Sequence, residues 1–126
     1  MEERRKYQRR TFSDPNRPLA ELQFFPASLQ VFTAQLKDIG EGGIGFIIPR
    51  TPEVTLDTGT RLILRRISKS PALSFLRNLA LEVVWLFDFK SLEQIAFGCR
   101  FIEPTNLLSE RIRRFASHTD PSGLVS

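Results

Sequence analysis

Gln94-Ile95-Ala96-Phe97-Gly98-Cys99-Arg100-Phe101-Ile102 decides the fold class of this chain. Ile95, Phe97, Cys99 and Phe101 alternate with Gln94, Ala96, Gly98 and Arg100, the period-two pattern of a half-buried strand. Just upstream, Leu79, Leu81, Val83, Trp85 and Phe87 share one face of a second stretch, with Ala80, Glu82, Val84, Leu86 and Asp88 on the other. The span from Asp88 to Glu93 joins the two as a short, hairpin-like connection. Working back towards the N-terminus, β-branched and aromatic content marks four more strands, at 20–25, 29–38, 43–48 and 60–67. The last two strands run over 79–87 and 94–102. Turn residues separate them: Pro26-Ala27-Ser28, Gly40-Glu41-Gly42-Gly43, a longer loop from Pro49 to Gly59, and Ser68-Lys69-Ser70-Pro71.

One helix is expected, after Pro104. Thr105 is placed to cap it, and Leu108, Ile112 and Phe115 fall on one face at spacings of four and three. Arg111, Arg113 and Arg114 take the other faces, near the negative end of the helix dipole. Six short strands with tight connections and a terminal helix predict an all-β fold with small α content. The two candidates are a small antiparallel barrel and a strongly bent sheet; closing the barrel hides the edges of such apolar strands. The 126 residues suit one domain. They divide into a flexible N-terminal segment (1–19), the barrel with its helix (20–117) and a disordered tail (118–126).

Composition narrows the function classes. At 41% hydrophobic and 25% charged, the chain has the balance of an ordinary globular domain. One cysteine excludes an internal disulfide and a multi-cysteine zinc site, and one histidine excludes His-rich metal sites and a catalytic histidine pair. No metal is therefore expected. An enzyme is the least supported class, since no Ser/His/Asp, metal or phosphate-loop spacing occurs. Gly40-x-Gly42 fails as a dinucleotide fingerprint because no helix follows it. The longest apolar stretches fall far short of the ~20 residues that a spanning helix needs, and Met1 to Lys6 is charged, unlike a signal peptide. A cytoplasmic location without membrane insertion is expected. Cys99 reads as a small buried residue, and His118 has no assigned role.

Two segments carry chemistry. The net charge is +4, and residues 1–10 alone hold five basic and two acidic residues, a local charge of +3. Arg5 and Arg9 stand four apart, so one helical turn or a tight loop brings both guanidinium groups to one side. Arginine donates in a rigid fork, which suits phosphate oxygens or the O6 and N7 edge of guanine. By charge alone, the segment also reads as a solvated basic tail. The second segment is Lys37-Asp38-Ile39-Gly40-Glu41-Gly42-Gly43, between two apolar strands. Its glycines permit positive φ and close backbone approach, and Asp38 can accept from the N1–H and N2–H₂ edge of a guanine. Alone, it also reads as a hairpin turn in which Asp38 bonds its own backbone. Trp85 offers a face for a stacked base, although its parity with Leu81 and Val83 favours a packed position.

Taken together, Arg5-x-x-x-Arg9 followed by Asp38-x-Gly40-x-x-Gly43 closely resembles the PilZ domain, whose motifs are RxxxR and DxSxxG. Glu82-Val83-Val84-Trp85 and Phe97-Gly98-Cys99-Arg100-Phe101 are similar to later strands of that family, so the resemblance runs from about residue 4 to 117. It implies a six-stranded antiparallel barrel with a C-terminal helix, of bacterial origin, that binds cyclic di-GMP. Arg5 and Arg9 would then hold guanine edges and phosphates. Arg4 and Arg10 would add phosphate contacts, Asp38 would accept from a guanine, and Gly43 would keep the turn tight against the ligand. Gly40 departs from the family serine. Losing one hydroxyl contact implies a cost of ~1 kcal/mol, so on this reading Gly40→Ser tightens binding.

The implied role is a signalling adaptor. The ligand orders the N-terminal segment and alters a surface for an unidentified downstream protein, with motility, biofilm and surface polysaccharide as the family's typical outputs. The alternative is a PilZ-like interaction module that no longer binds the ligand. A small basic barrel binding RNA or DNA is third, because the basic residues cluster at one end and no strand carries an aromatic ladder.

Overall fold

The computed structural model describes residues 8–13, 15–25 and 30–117. The strands are β1 (Arg9–Thr11), β2 (Leu19–Phe24), β3 (Val31–Gly40), β4 (Gly43–Pro49), β5 (Arg61–Ser68), β6 (Leu79–Phe89) and β7 (Gln94–Phe101). The helix α1 spans Asn106–Ser117. Strands β2 to β7 match the six stretches of alternation to within a few residues at each end. The turn expected at Pro26-Ala27-Ser28 lies outside the described residues.

All pairings are antiparallel, in the order β3-β2-β5-β6-β7-β4, and β4 pairs back onto β3. The sheet therefore closes into a six-stranded barrel. Inward residues alternate as the sequence predicts, and Leu22, Leu36, Phe46, Leu64, Leu81 and Phe97 lie in its core, fully buried. The Phe46 and Phe97 rings meet at 5.3 Å across the β4–β7 pair. Helix α1 begins as expected: the Leu108 amide donates to Thr105 Oγ1 at 3.0 Å. Its Ile112 is fully buried and belongs to the same core cluster as the inward strand residues, so the helix packs against the barrel core.

The seventh strand departs from the sequence expectation. Part of the segment expected to be flexible, Arg9–Thr11, pairs with β3 at Arg9↔Gly40, Arg10↔Ile39 and Thr11↔Asp38. The cause lies in the edge of β3. Residues 31–35 of that edge are taken by β2, which leaves residues 38–40 open there for another strand. The Phe12 amide extends the attachment, donating to the Lys37 carbonyl at 2.9 Å.

Three register shifts occur among the described residues of the barrel. One lies in the β2–β5 pair at Arg65, and the other two shape the wall on the side of β3, β4, β7 and β6. The β3–β4 register shifts at Lys37, and the β6–β7 register shifts at Val84. The second overturns the packed position expected for Trp85. One extra residue at Val84 reverses parity, so Leu81 and Val83 point inwards while Trp85 and Phe87 are 41% and 54% exposed. Phe87, Phe89 and Leu92 leave an exposed apolar tip on the β6–β7 hairpin.

Candidate functional site

The site lies where the two bulges face each other on the outside of the barrel. Asp38 of β3, Gly45 of β4, Gly98 of β7 and Trp85 of β6 follow one another across four neighbouring strands. Asp38, Gly98 and Trp85 line an open groove of about 370 Å³ together with Arg9, Lys37 and Gly43, and Gly45 lies beside Asp38.

Asp38 is the centre of its electrostatics. It is the sole charged residue among the described ones to be buried, at 9% exposure. The Arg9 guanidinium donates to Oδ1 at 2.6 Å, and the Lys37 ammonium donates to Oδ2 at 3.0 Å. Successive strand residues normally point to opposite faces; the bulge at Lys37 lets both Lys37 and Asp38 act on the outer one. Burial pushes the Asp38 carboxyl up, but the hydrogen bonds and charges of Arg9 and Lys37 outweigh it and hold the group below its ordinary value. Two cations around one carboxylate leave the cluster with an excess of one positive charge, which suits an anion. No group of three or more potential metal-ligating residues occurs among the described ones.

Glycines make the room. A Cβ on Gly45 would stand 2.6 Å from Asp38 Oδ1, and one on Gly98 would overlap the Trp85 indole at Nε1. The indole therefore lies directly on the Gly98 backbone, with Lys37 Nζ 5.9 Å from its ring centroid. A Cβ on Gly43 would run into the Cys99 carbonyl. The expected hairpin turn joins β3 to β4, but Gly40 and Gly43 do not adopt positive φ; close approach is what requires them. Cys99 lies under this turn, and burial raises its thiol pKa to about 12, in keeping with the inert role expected of it.

The structure thus brings Arg9, Asp38, Gly43 and Trp85 together around one groove. Arg9 acts from an extended strand, not from the helical turn or tight loop considered for it. Arg10 goes elsewhere: alternation along β1 turns it to the opposite face, where its guanidinium lies 4.4 Å from the Phe115 ring centroid of α1. Its buried Nε has no hydrogen-bond partner among the described residues. Gly40 is a backbone neighbour of β1 and does not line the groove. Arg4 and Arg5 lie outside the described residues. The sequence reading missed Lys37, Gly45 and Gly98; the adjacency of Lys37 to Asp38 was the one available signal.

A family model described as PilZ domain matches residues 3–118. No curated protein matches the chain in sequence. Among solved structures, the fold is similar to the PilZ domain with c-di-GMP of YcgR from Escherichia coli, with a TM-score of 0.67 and 15% identity, covering 90% of this chain and 89% of that one. It is similar to the Bacillus subtilis inhibitor of motility MotI/DgrA, with a TM-score of 0.62, 18% identity and coverage of 90% and 50%. The K. pneumonia MrkH–c-di-GMP complex gives 0.60, 15%, 90% and 51%. The chain thus spans about half the length of the last two.

Proposed function

The chain belongs to the PilZ domain family, and from that premise we propose that it is a receptor for cyclic di-GMP, acting without chemistry on the ligand. The observation that carries the reading is the cluster of Arg9, Lys37 and Asp38 beside the open face of Trp85, in one groove. Cyclic di-GMP combines two phosphodiesters with two guanines, and the groove offers a complement to each. Arg9 and Lys37 supply charge-assisted donors for phosphate oxygens or a guanine edge. Asp38 is the acceptor for guanine N–H groups, and Trp85 is a platform for one base. Arg5 joins Arg9 from the preceding segment, Arg4 adds a phosphate contact, and Gly43 keeps the hairpin close to the ligand. Arg10 serves the helix instead. The same E. coli and K. pneumonia structures, solved with c-di-GMP, support the ligand class.

The output in this proposal is an adaptor's, exerted in the bacterial cytoplasm. Ligand binding draws the segment that precedes β1 onto the groove, and the changed surface meets a downstream protein. The exposed Phe87, Phe89 and Leu92 supply apolar area of the kind that protein partners cover. A ligand-free interaction module is the second reading, favoured by one observation: both Asp38 oxygens are already satisfied by Arg9 and Lys37.

Calorimetric titration with cyclic di-GMP separates the two. The receptor reading expects saturable binding and protection of the segment that precedes β1 from proteolysis. No heat and no protection at high ligand concentration leave the ligand-free module. Binding of single-stranded nucleic acid with a steep salt dependence would instead restore the third possibility.

A further inference from the structure

We infer that Gly40 is a positioning residue that acts through Arg9: its missing side chain seats β1 on the end of β3 and delivers Arg9 to the groove before any ligand arrives. The inference deepens the receptor reading and rests on it for its ligand arm.

The argument starts from space. Gly40 stands opposite Arg9 in the β1–β3 register. A Cβ at position 40 would lie 2.5 Å from the Gln8 carbonyl oxygen and 3.0 Å from Arg9 Cγ. The nearer obstacle is backbone, so no rotamer change relieves it; any side chain must push Gln8 and Arg9 off the edge. Backbone conformation does not explain the glycine, because its φ is not in the left-handed region. Further along, β1 stays anchored. The Phe12 amide donates to the Lys37 carbonyl, the Phe12 and Phe115 rings stack at 6.2 Å, and Arg10 covers Phe115. A side chain at 40 therefore levers the Arg9 end of the strand outwards while the Phe12 end holds.

Two consequences follow. First, Arg9 is preorganised: the ligand inherits a guanidinium already held at 2.6 Å from Asp38 and has only to share it. Secondly, serine at position 40 acts through its Cβ before its hydroxyl can help. This reverses the tightening expected from the sequence.

Hydrogen exchange on ligand-free wild-type protein is the first test, and it requires no variant. Slow exchange is expected of the Arg10 and Phe12 amides, the two that alternation turns towards β3; exchange of both at free-peptide rates would overturn the inference. Gly40→Ala and Gly40→Ser are then compared. Both should lose protection at the Arg10 amide more than at Phe12, keep the core methyl spectrum of the barrel, and bind cyclic di-GMP at least tenfold more weakly. Retained β1 protection in both variants, or Gly40→Ser binding as tightly as wild type while Gly40→Ala weakens, refutes the steric role. Should wild type bind no cyclic di-GMP, the receptor reading fails, yet the exchange data on unliganded protein still decide whether Gly40 seats β1.

Discussion

The six-stranded barrel and the seventh strand are neighbours held by different physics. The barrel rests on interlocked apolar side chains such as Phe46 and Phe97, fully buried and indifferent to salt and pH. Strand β1 is three residues long and rests on a short ladder with β3, the Arg9–Asp38 ion pair, a cation–π contact from Arg10, and the gap at Gly40. The first region is built to persist. With so few contacts, the second is expected to come away under changes that leave the first intact, as the proposed ligand-responsive arm requires.

Breaking the barrel should give the largest effect. Phe97→Ala removes a ring from the centre of the core and should cost about 3–5 kcal/mol of global stability. Chemical denaturation is the measurement, and β1 should gain no independent stability. Next comes the arm. Arg9→Ala should weaken cyclic di-GMP binding by about 10- to 150-fold, the worth of a charge-assisted hydrogen bond of roughly 1.5–3 kcal/mol. Thermal unfolding of the barrel should barely shift, and equal losses in both measurements would erase the distinction between the regions. Trp85→Ala tests the groove wall between them. It should cost about 1–3 kcal/mol of binding through the lost stack, read by titration calorimetry, with little change in stability because the indole lies on the outer surface.

The smallest effect is set by pH. The Asp38 carboxyl is held below its ordinary value, so its contribution is complete above the unfolded-state pKa of about 4. It is lost as pH falls through the lowered native pKa, when the protonated acid releases Arg9. Protection of the Arg10 and Phe12 amides, relative to free-peptide rates at the same pH, should therefore fall below about pH 4 while the core of β4 and β7 stays protected. Simultaneous loss in both regions would show that the arm and barrel are one cooperative unit.

How much was legible in the sequence follows the same division. Alternation exposes a strand that buries one face, so β2 to β7 and the Leu108-Ile112-Phe115 face of α1 were readable from side chains alone. Strand β1 was not, because Arg9-Arg10-Thr11 is too polar to signal a strand, and its pairing comes from an edge that β2 leaves unused. Trp85 was assigned to the wrong face because the period-two count assumes one residue per step, and the bulge at Val84 inserts another. The pairing of Arg9 with Asp38 was foreshadowed by their shared preference for a guanine, although 29 residues separate them. The glycines were visible as turn residues. What each makes room for depends on strands that are distant in sequence.

The edge of β3 has a final consequence. It is shared end to end, with one berth for β2 and a short second one for β1. Whenever β1 departs, the backbone groups of Ile39 and the Lys37 carbonyl become an unguarded sheet edge, open to any extended segment. The arm is therefore also a stopper. Long residence in the lifted state would invite another copy's strand into the vacancy, so the same three residues that would serve signalling also protect the protein from self-association.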